Sequence, residues 1–416
     1  MWWLKIKRIE IYPSKIKGTV KISGSKNASL PIIAASIVCS KNAKLTNVPN
    51  IADINSLLNI LEKIGSSVVF KKNTLKLRHN INKQTLLFDE VKKFRASYYL
   101  MSVYLVLFNE VEIYYPGGCS IGSRPIDFHL EGFMKAGCVV KQENDIVSIK
   151  CTKLRSFVYR IPKKSVGATV NLLILASKID GLSVIKNAST EPEIDDLISF
   201  LNKGSAFVYR KGEDIFINGS NKIIDRIKHK IIPDRIECFT YMCIGTYSEK
   251  LKIKNININH LKMPIYYLNK ANANVRVKRK TIVMKKSNLK GITVNSGDYP
   301  SLSTDQMPLM YPLFTRIDGV SKFTEGIFES RFTVCDELKK TNANIFVDKN
   351  SIIINGKNDI IGNDLYATDL RGAASLLIEG IINQNSTIYN LEYLERGYNN
   401  IYENLKKLGL NFKIFK

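Results

Sequence analysis

Apolar positions along the chain fall into two alternating kinds of stretch. Six stretches of helix length are almost wholly apolar behind a short opening of small or charged residues. They are SKNASLPIIAAS from Ser25, FRASYYLMSVYL from Phe94, SVGATVNLLILAS from Ser165, DRIECFTYMCIG from Asp234, STDQMPLMYPLF from Ser303 and TDLRGAASLLIEG from Thr368. They recur at intervals of roughly 70 residues, which marks an internal repeat. Between them lie stretches whose apolar residues return every three or four positions, such as INSLLNILEKIG, IDDLISFLNKG and IYENLKKLGL. That spacing predicts an amphipathic helix. Most of these end at Gly or Asn, residues suited to a left-handed C-cap.

Strand patterns fill the gaps. AKLTNV, EVEIYYPGG, LSVIKNA, KLKIKNI, VSKFTEG and STIYNLE follow the apolar helices, and alternating runs such as SVVFKKNTLKL, DIFING, TIVMKK and SIIING read as hairpins. The repeat is therefore βαβαββ, six times over, in an α/β chain. Its first helix is apolar on every side and is expected to be buried all round; its second helix is expected outside it or at its edge. Six repeats divide as three plus three. The strand Lys5 to Ile11 precedes the first repeat and is expected to pair with a late one. That makes one domain discontinuous, with 22–231 as the first domain, 1–21 plus 232–416 as the second, and a crossing near Ile231 to Pro233.

Composition changes this picture little. The net charge is +25, a value that can signal nucleic acid or membrane partners. The lysines are scattered, however, and outnumber arginine about threefold with no arginine-rich arm. Basic residues interleaved with aromatics, as nucleic-acid binding requires, are absent. No apolar run approaches the ~20 residues of a membrane helix. The seven cysteines are dispersed, with no CxxC pair and no zinc spacing. The expectation is a reduced, cytoplasmic protein with no metal, no cofactor, no nucleic acid partner and no membrane contact.

Candidate chemistry gathers at the helix openings. They carry Lys26 and Asn27, Arg95, Lys163 with Ser165, Asp234 with Arg235, Asp305, and Asp369 with Arg371. A helix N-terminus presents free N–H groups and attracts anions, and a neighbouring Lys or Arg strengthens such a site. Ser165, Asp234, Thr304 and Asp369 are also the residue types that simply cap helices. Their recurrence at equivalent places favours a shared anionic site. Glu191 and Glu193 read as acidic residues at a helix start. A glycine-rich loop, YPGGCSIGSRPIDFH from Tyr115 to His129, adds a cysteine and an arginine between a strand and a helix. Glycines there permit tight turns or close backbone approach.

The stretches ISGSKNASLPI, KKFRAS, PGGCSIGSRPIDFH, KKSVGAT, EPEI, PDRIE, STD, FESRF, ATDLR and RGY span essentially the whole chain. Together they resemble the enolpyruvyl transferase family, and within it the members that act on UDP-N-acetylglucosamine. The resemblance implies a two-domain inside-out α/β barrel with six repeats, three per domain, helices within and sheets outside, and an active site in the cleft between domains. It implies transfer of the enolpyruvyl group of phosphoenolpyruvate to the 3-hydroxyl of UDP-N-acetylglucosamine, with release of phosphate, by addition and elimination through a tetrahedral intermediate. The chain is expected to act as a monomer.

Residue roles follow from the same resemblance. Lys26 and Asn27 contact phosphoenolpyruvate. Arg124 and Arg396 hold its phosphate, and Arg331 and Arg371 face its carboxylate. Arg95, Pro125, Ile126, Asp127 and Phe128 bind the nucleotide sugar with Arg124, and Lys163, Lys164, Ser165 and Val166 border its diphosphate. Ile327 lines the uridine pocket and Asp369 completes the binding set. Cys119 matches the family's proton donor, the residue that fosfomycin alkylates, and Asp305 matches the base for the sugar hydroxyl. Catalysis thus falls to Cys119, Asp305, Lys26 and Arg396, and the loop with Gly117, Gly118 and Gly122 is the family's lid. The chain departs from the family pattern at Ser301, Leu302 and Ser303, where a glycine, an aromatic residue and a proline are usual. Glu395 stands where an aspartate is usual, and Ser25 and Phe128 are less typical. Transferases that act on shikimate 3-phosphate share the fold but open with Asp-Lys-Ser and lack the GGCSIG loop. A non-catalytic relative is disfavoured by retention of the charged set.

Overall fold

The computed structural model describes residues 7–82, 85–117, 125–328, 331–357 and 359–415. The chain forms two compact units. Among the described residues one unit takes 24–117 and 125–232, and the other takes 7–23 and the rest from 233 onward. Among the described residues each unit carries three small sheets.

The apolar stretches form the buried helices Lys26–Cys39, Tyr99–Phe108, Val166–Ala176, Arg235–Gly245 and Leu370–Asn383. Every residue of Arg235–Gly245 is buried. These helices are rich in Ile and Val, which lose up to ~0.7 kcal/mol per residue to Ala in helix propensity. Burying each such side chain stabilises the unit by about 1.5–3 kcal/mol, so packing decides their conformation. The fifth stretch departs from expectation. It folds as a 3₁₀ turn, Met307–Leu309, and a single helical turn, Tyr311–Phe314. Pro308 and Pro312 lack the N–H that would continue a helix, yet the segment is still wholly buried.

The second helices are Ala52–Lys63, Asp127–Lys135, Pro192–Lys203, Lys262–Lys270, Thr333–Lys339 and Ile401–Lys407. Five end in left-handed residues, Gly65, Gly137, Asn272, Asn342 and Gly409. After Pro192–Lys203 the left-handed residue is Ser205 rather than Gly204. Gly204 serves close packing instead, since a Cβ there would lie 2.9 Å from the Cys39 side chain.

Each sheet sets a strand beside the strand that follows the buried helix, then adds a hairpin. The repeat is complete in Val158–Arg160, Leu182–Lys186, Phe207–Lys211 and Asp214–Asn218. In the second repeat the edge strand shrinks to a bridge between Leu86 and Ile113. In the sixth, Arg8–Tyr12 fills the hairpin place between Ser386–Tyr389 and Asn411–Phe415, so the first strand does pair with a late repeat. Two edge strands are exchanged in sequence. Lys17–Lys21 precedes the first buried helix but lies parallel to Lys250–Lys254, and Ile224–Lys230 precedes the fourth but lies parallel to Ser40–Thr46.

In four of the six repeats an asparagine locks this arrangement. Asn47, Asn187, Asn255 and Asn390 follow the central strands with φ between 54° and 63°. Their side-chain amides donate to the carbonyls of Ile231, Ile161, Ile22 and Ala367 at 2.7–2.9 Å. Each amide thereby fixes the end of the edge strand that leads to a helix opening. Asparagine tolerates left-handed geometry better than other residues with a side chain.

Buried polar groups tie helices together within the first unit. The Ser102 hydroxyl donates to Asn171 Oδ1 at 2.7 Å, and Asn171 Nδ2 meets His129 Nδ1 at 2.8 Å. Burial, and secondarily the charge of Arg95, pushes the His129 imidazole down to about 3. His79, between the hydroxyls of Ser36 and Ser66, is pushed down by burial to about 4. Among the described residues no helix is long and apolar enough to cross a membrane.

Two outcomes are expected. At Gly24 an added Cβ would lie 1.7 Å from the carbonyl oxygen of Asn47, a backbone atom that cannot swing aside. Gly24→Ala should therefore lose about 2–4 kcal/mol in urea unfolding, with the midpoint rather than the slope carrying the change. For His129 the folded pKa lies below the unfolded value near 6.5, so its stabilisation is present above pH 6.5 and is lost as pH falls toward 3. His129→Gln should lose about 2 kcal/mol less than the parent between pH 7 and 5, measured by chemical unfolding at each pH.

Candidate functional site

In the unit that includes 233–415, the opening of the fifth repeat meets the opening of the sixth. Asp305 follows the turn that begins at Ser303, and its carboxylate is about a quarter exposed. Arg331 Nη2 donates to one of its oxygens and Arg371 Nη2 to the other at 3.1 Å. The arginine side chains are 4% and 6% exposed, so both guanidinium groups are held out of water. Arg331 Nη1 also lies 4.0 Å from Asp369 Oδ1. The four charges formally cancel, which is what makes burial of two arginines tolerable.

Local structure explains each position. Asp369 caps the helix Leu370–Asn383, accepting from the N–H of Arg371 at 2.9 Å and of Gly372 at 3.2 Å. Arg371 leaves the first turn of that helix, donates to the Tyr398 hydroxyl at 3.3 Å and lies 5.8 Å from the Tyr398 ring. The same hydroxyl meets Thr240 Oγ1 at 2.9 Å. Burial alone lowers the Arg371 pKa, but Asp305, Tyr398 and Asp234 more than reverse that and hold it above its ordinary value. Arg331 lies 5.4 Å from the Phe328 ring. Ile327 is half-buried beside that ring. Arg396 follows the helical turn Glu392–Glu395 and is half-buried. Glu395, in that turn, takes an ion pair from Lys7.

The unusual Ser301-Leu302-Ser303 has a structural role. Leu302 is fully buried and forms a bridge with Ser296. The Ser303 N–H and hydroxyl both donate to Gln306 Oε1, at 3.4 and 3.1 Å. That is half of a capping box, and it opens the turn without a proline. Thr304, a candidate cap on sequence grounds, bonds instead to Arg331 and Glu325.

In the other unit, Lys26 begins the first buried helix and its ammonium pairs with Asp53 at 2.9 Å, both side chains being at most 14% exposed. Replacing Asp53 alone would remove this partner of a largely buried ammonium and should lower stability. Ser25 caps the helix through Ala28 N at 3.4 Å. Asn27 is half-buried on the same turn. Glu193, expected as a plain helix-start acid, is buried, with Ser25 Oγ 3.5 Å away. Arg95 starts a 3₁₀ turn, Arg95–Tyr98, 5.7 Å from the Tyr98 ring. Ser165 caps Val166–Ala176 through Ala168 N at 3.2 Å, Lys164 pairs with Glu213, and Lys163 and Val166 are exposed. Pro125 and Asp127 are exposed and Phe128 half-buried, whereas the Ile126 side chain is wholly buried and anchors the start of Asp127–Lys135. Gly117 donates to Lys92 O at 3.0 Å, and a Cβ there would lie 2.4 Å from that oxygen. Cys119 and Arg124, with Gly118 and Gly122, lie outside the described residues.

Sequence reasoning missed Asp53, Thr304 and Glu325. Only Thr304 carried a signal, its place beside Asp305, and that pointed to a cap.

Comparison with known proteins bears on the whole chain. A model of the family EPSP synthase (3-phosphoshikimate 1-carboxyvinyltransferase) matches residues 11–405. Proteins named UDP-N-acetylglucosamine 1-carboxyvinyltransferase are similar along almost their full length. That of Halothermothrix orenii is 36% identical over 409 residues, 96% of this chain and 97% of its own. That of Thermotoga maritima is 38% identical over 401 residues, 95% of each chain. That of Wolbachia from Brugia malayi is 36% identical over 411 residues, 95% of this chain and 96% of its own. Among solved structures, the enolpyruvyl transferase NikO of Streptomyces tendae superposes with a TM-score of 0.90 at 21% identity, over 99% of each chain. EPSP synthase of Acinetobacter baumannii gives 0.80 at 18% identity, over 99% of this chain and 100% of its own. These two establish the fold, a two-domain inside-out α/β barrel of six repeats. With the full-length relatives and the matched family model, they show that this chain belongs to the enolpyruvyl transferase family, among the UDP-N-acetylglucosamine 1-carboxyvinyltransferases.

Proposed function

We propose that the chain transfers the enolpyruvyl group of phosphoenolpyruvate to the 3-hydroxyl of UDP-N-acetylglucosamine and releases phosphate, the first committed step of peptidoglycan synthesis. The observation that carries this reading is the pair of buried guanidinium groups on the partly exposed carboxylate of Asp305. Such a pair is built to receive a second carboxylate in bidentate fashion. A carboxylate gripped by two cations is a weak base. When the substrate carboxylate takes over Arg331 and Arg371, Asp305 is released from both guanidinium groups. It then accepts the proton of the sugar hydroxyl, and the local charge stays balanced.

The reaction follows in two stages. Cys119 gives its thiol proton to the methylene carbon of phosphoenolpyruvate while the sugar oxygen bonds to the adjacent carbon and loses its proton to Asp305. The tetrahedral adduct then expels phosphate, which takes up the proton held by Asp305 and leaves as hydrogen phosphate, while the new methyl group returns a proton to the Cys119 thiolate. Lys26 and Asn27 contact phosphoenolpyruvate, and Arg124 and Arg396 hold the phosphate that leaves. Arg95 and the segment Pro125, Ile126, Asp127 and Phe128 bind the nucleotide sugar. Lys163, Lys164, Ser165 and Val166 border its diphosphate, Ile327 its uridine, and Asp369 secures Arg331 and Arg371. This reading carries a cytoplasmic monomer with it, and a part in cell shape and division through the wall. The six described cysteines are all free and buried, as suits a reducing compartment.

Two measurements test the reading. Phosphate release from phosphoenolpyruvate should depend on UDP-N-acetylglucosamine; release with shikimate 3-phosphate instead would move the acceptor to the other branch of the family, and release with neither would remove the enzyme assignment. Fosfomycin should add to one thiol, Cys119, and stop turnover. Full activity in a sample shown by mass spectrometry to be completely modified there would exclude the thiol as proton donor.

A further inference from the structure

Glu325 occupies the place that asparagine takes in four of the six repeats, directly after the central strand Val320–Thr324. It makes none of the bonds to an edge-strand carbonyl that those asparagines make. The residue is 3% exposed, and its carboxylate is turned to two other tasks. One oxygen accepts from the Thr304 hydroxyl at 2.9 Å. The other accepts from the N–H groups of Ile327 at 2.8 Å and Phe328 at 3.4 Å. Thr304 Oγ1, its proton committed to Glu325, accepts from Arg331 Nε at 3.0 Å. Arg331 reaches Asp305 through Nη2.

Among the described residues no ion pair to this carboxylate is present, and a buried carboxylate of that kind is costly and must be offset by hydrogen bonds. An asparagine would satisfy the same backbone corner as it does elsewhere in the chain. We propose that Glu325 is a positioning residue for the transferase reaction. Through Thr304 it orients the Arg331 fork on Asp305, and through the N–H groups of Ile327 and Phe328 it sets the segment that meets the nucleotide sugar. The two carboxylate oxygens serve the two substrates separately. Glu325 orders the Thr304 hydroxyl: because its proton points to the carboxylate, a lone pair faces Arg331. This inference rests on the proposed function for the identity of the substrates.

The test compares Thr304→Val, Thr304→Ser and Glu325→Asn in the full chain. Thr304→Val removes the bond to Arg331 with little change in volume. It should lower kcat/KM for phosphoenolpyruvate roughly tenfold or more, as loss of a hydrogen bond to a charged group does, and leave the KM for UDP-N-acetylglucosamine unchanged. Thr304→Ser keeps the hydroxyl and should restore activity to within about threefold of the parent. Glu325→Asn installs the residue the other repeats use and should raise the KM for both substrates. If the parent turns over and Thr304→Val matches it in kcat and in both KM values, the relay is overturned while the function stands. An equal loss in Thr304→Val and Thr304→Ser, or a loss that follows thermal stability alone, also overturns it. A parent that does not turn over defeats the functional reading instead, whatever the variants do.

Discussion

Two buried guanidinium groups cannot sit side by side without anions to face them, and that requirement governs the site. Arg331 and Arg371 are almost fully withdrawn from water, and their charge is met by Asp305 and, for Arg331, at longer range by Asp369. Asp369 is itself fixed because it caps the helix from which Arg371 projects. Asp305 is the member with a substantial exposed face, so it is the one that can be exchanged for another carboxylate. Desolvated charge of this kind is unfavourable for stability taken alone. Its place in the chain is understandable as preorganisation: the arginines are already dehydrated and oriented when an anion arrives.

The fold supplies that preorganisation by repetition. Helices buried on every side leave only their first turns to offer polar groups, and in most repeats an edge strand leads into such a turn. The asparagines at 47, 187, 255 and 390 hold those strand ends in place. The second and fifth repeats break the pattern, with Tyr115 and Glu325 in the asparagine position. They are also the repeats whose following loops carry Cys119 and the segment from Ile327 to Arg331. On the proposed function, the chemistry falls where the structural rule is relaxed.

Much of this was legible in the sequence, for physical reasons. A wholly apolar helix and an amphipathic one leave different periodicities, so the six repeats, their central strands and several of the hairpins could be read directly, while the short edge strands could not. The displaced first strand was legible because it had no partner of its own. Other features leave no local mark. The exchanged edge strands 17–21 and 224–230 pair over about two hundred residues, and nothing in KGTV or IDRIKHK names a partner. Pro308 and Pro312 broke a helix whose apolar content still read as helical. Asp53 on Lys26 and Glu325 on Thr304 are tertiary pairs of ordinary residues. The charged set was found by its motifs, yet its geometry, two arginines on one aspartate, was not.

The exchange of carboxylates on Arg331 and Arg371 can be tested by separating binding from turnover. Asp305→Asn removes the internal anion that competes for the two guanidinium groups and also removes the base. The affinity for phosphoenolpyruvate, measured by calorimetry with UDP-N-acetylglucosamine present, should rise severalfold in this variant, while turnover falls by about a hundredfold or more. Weaker or unchanged binding of phosphoenolpyruvate to Asp305→Asn would contradict the exchange.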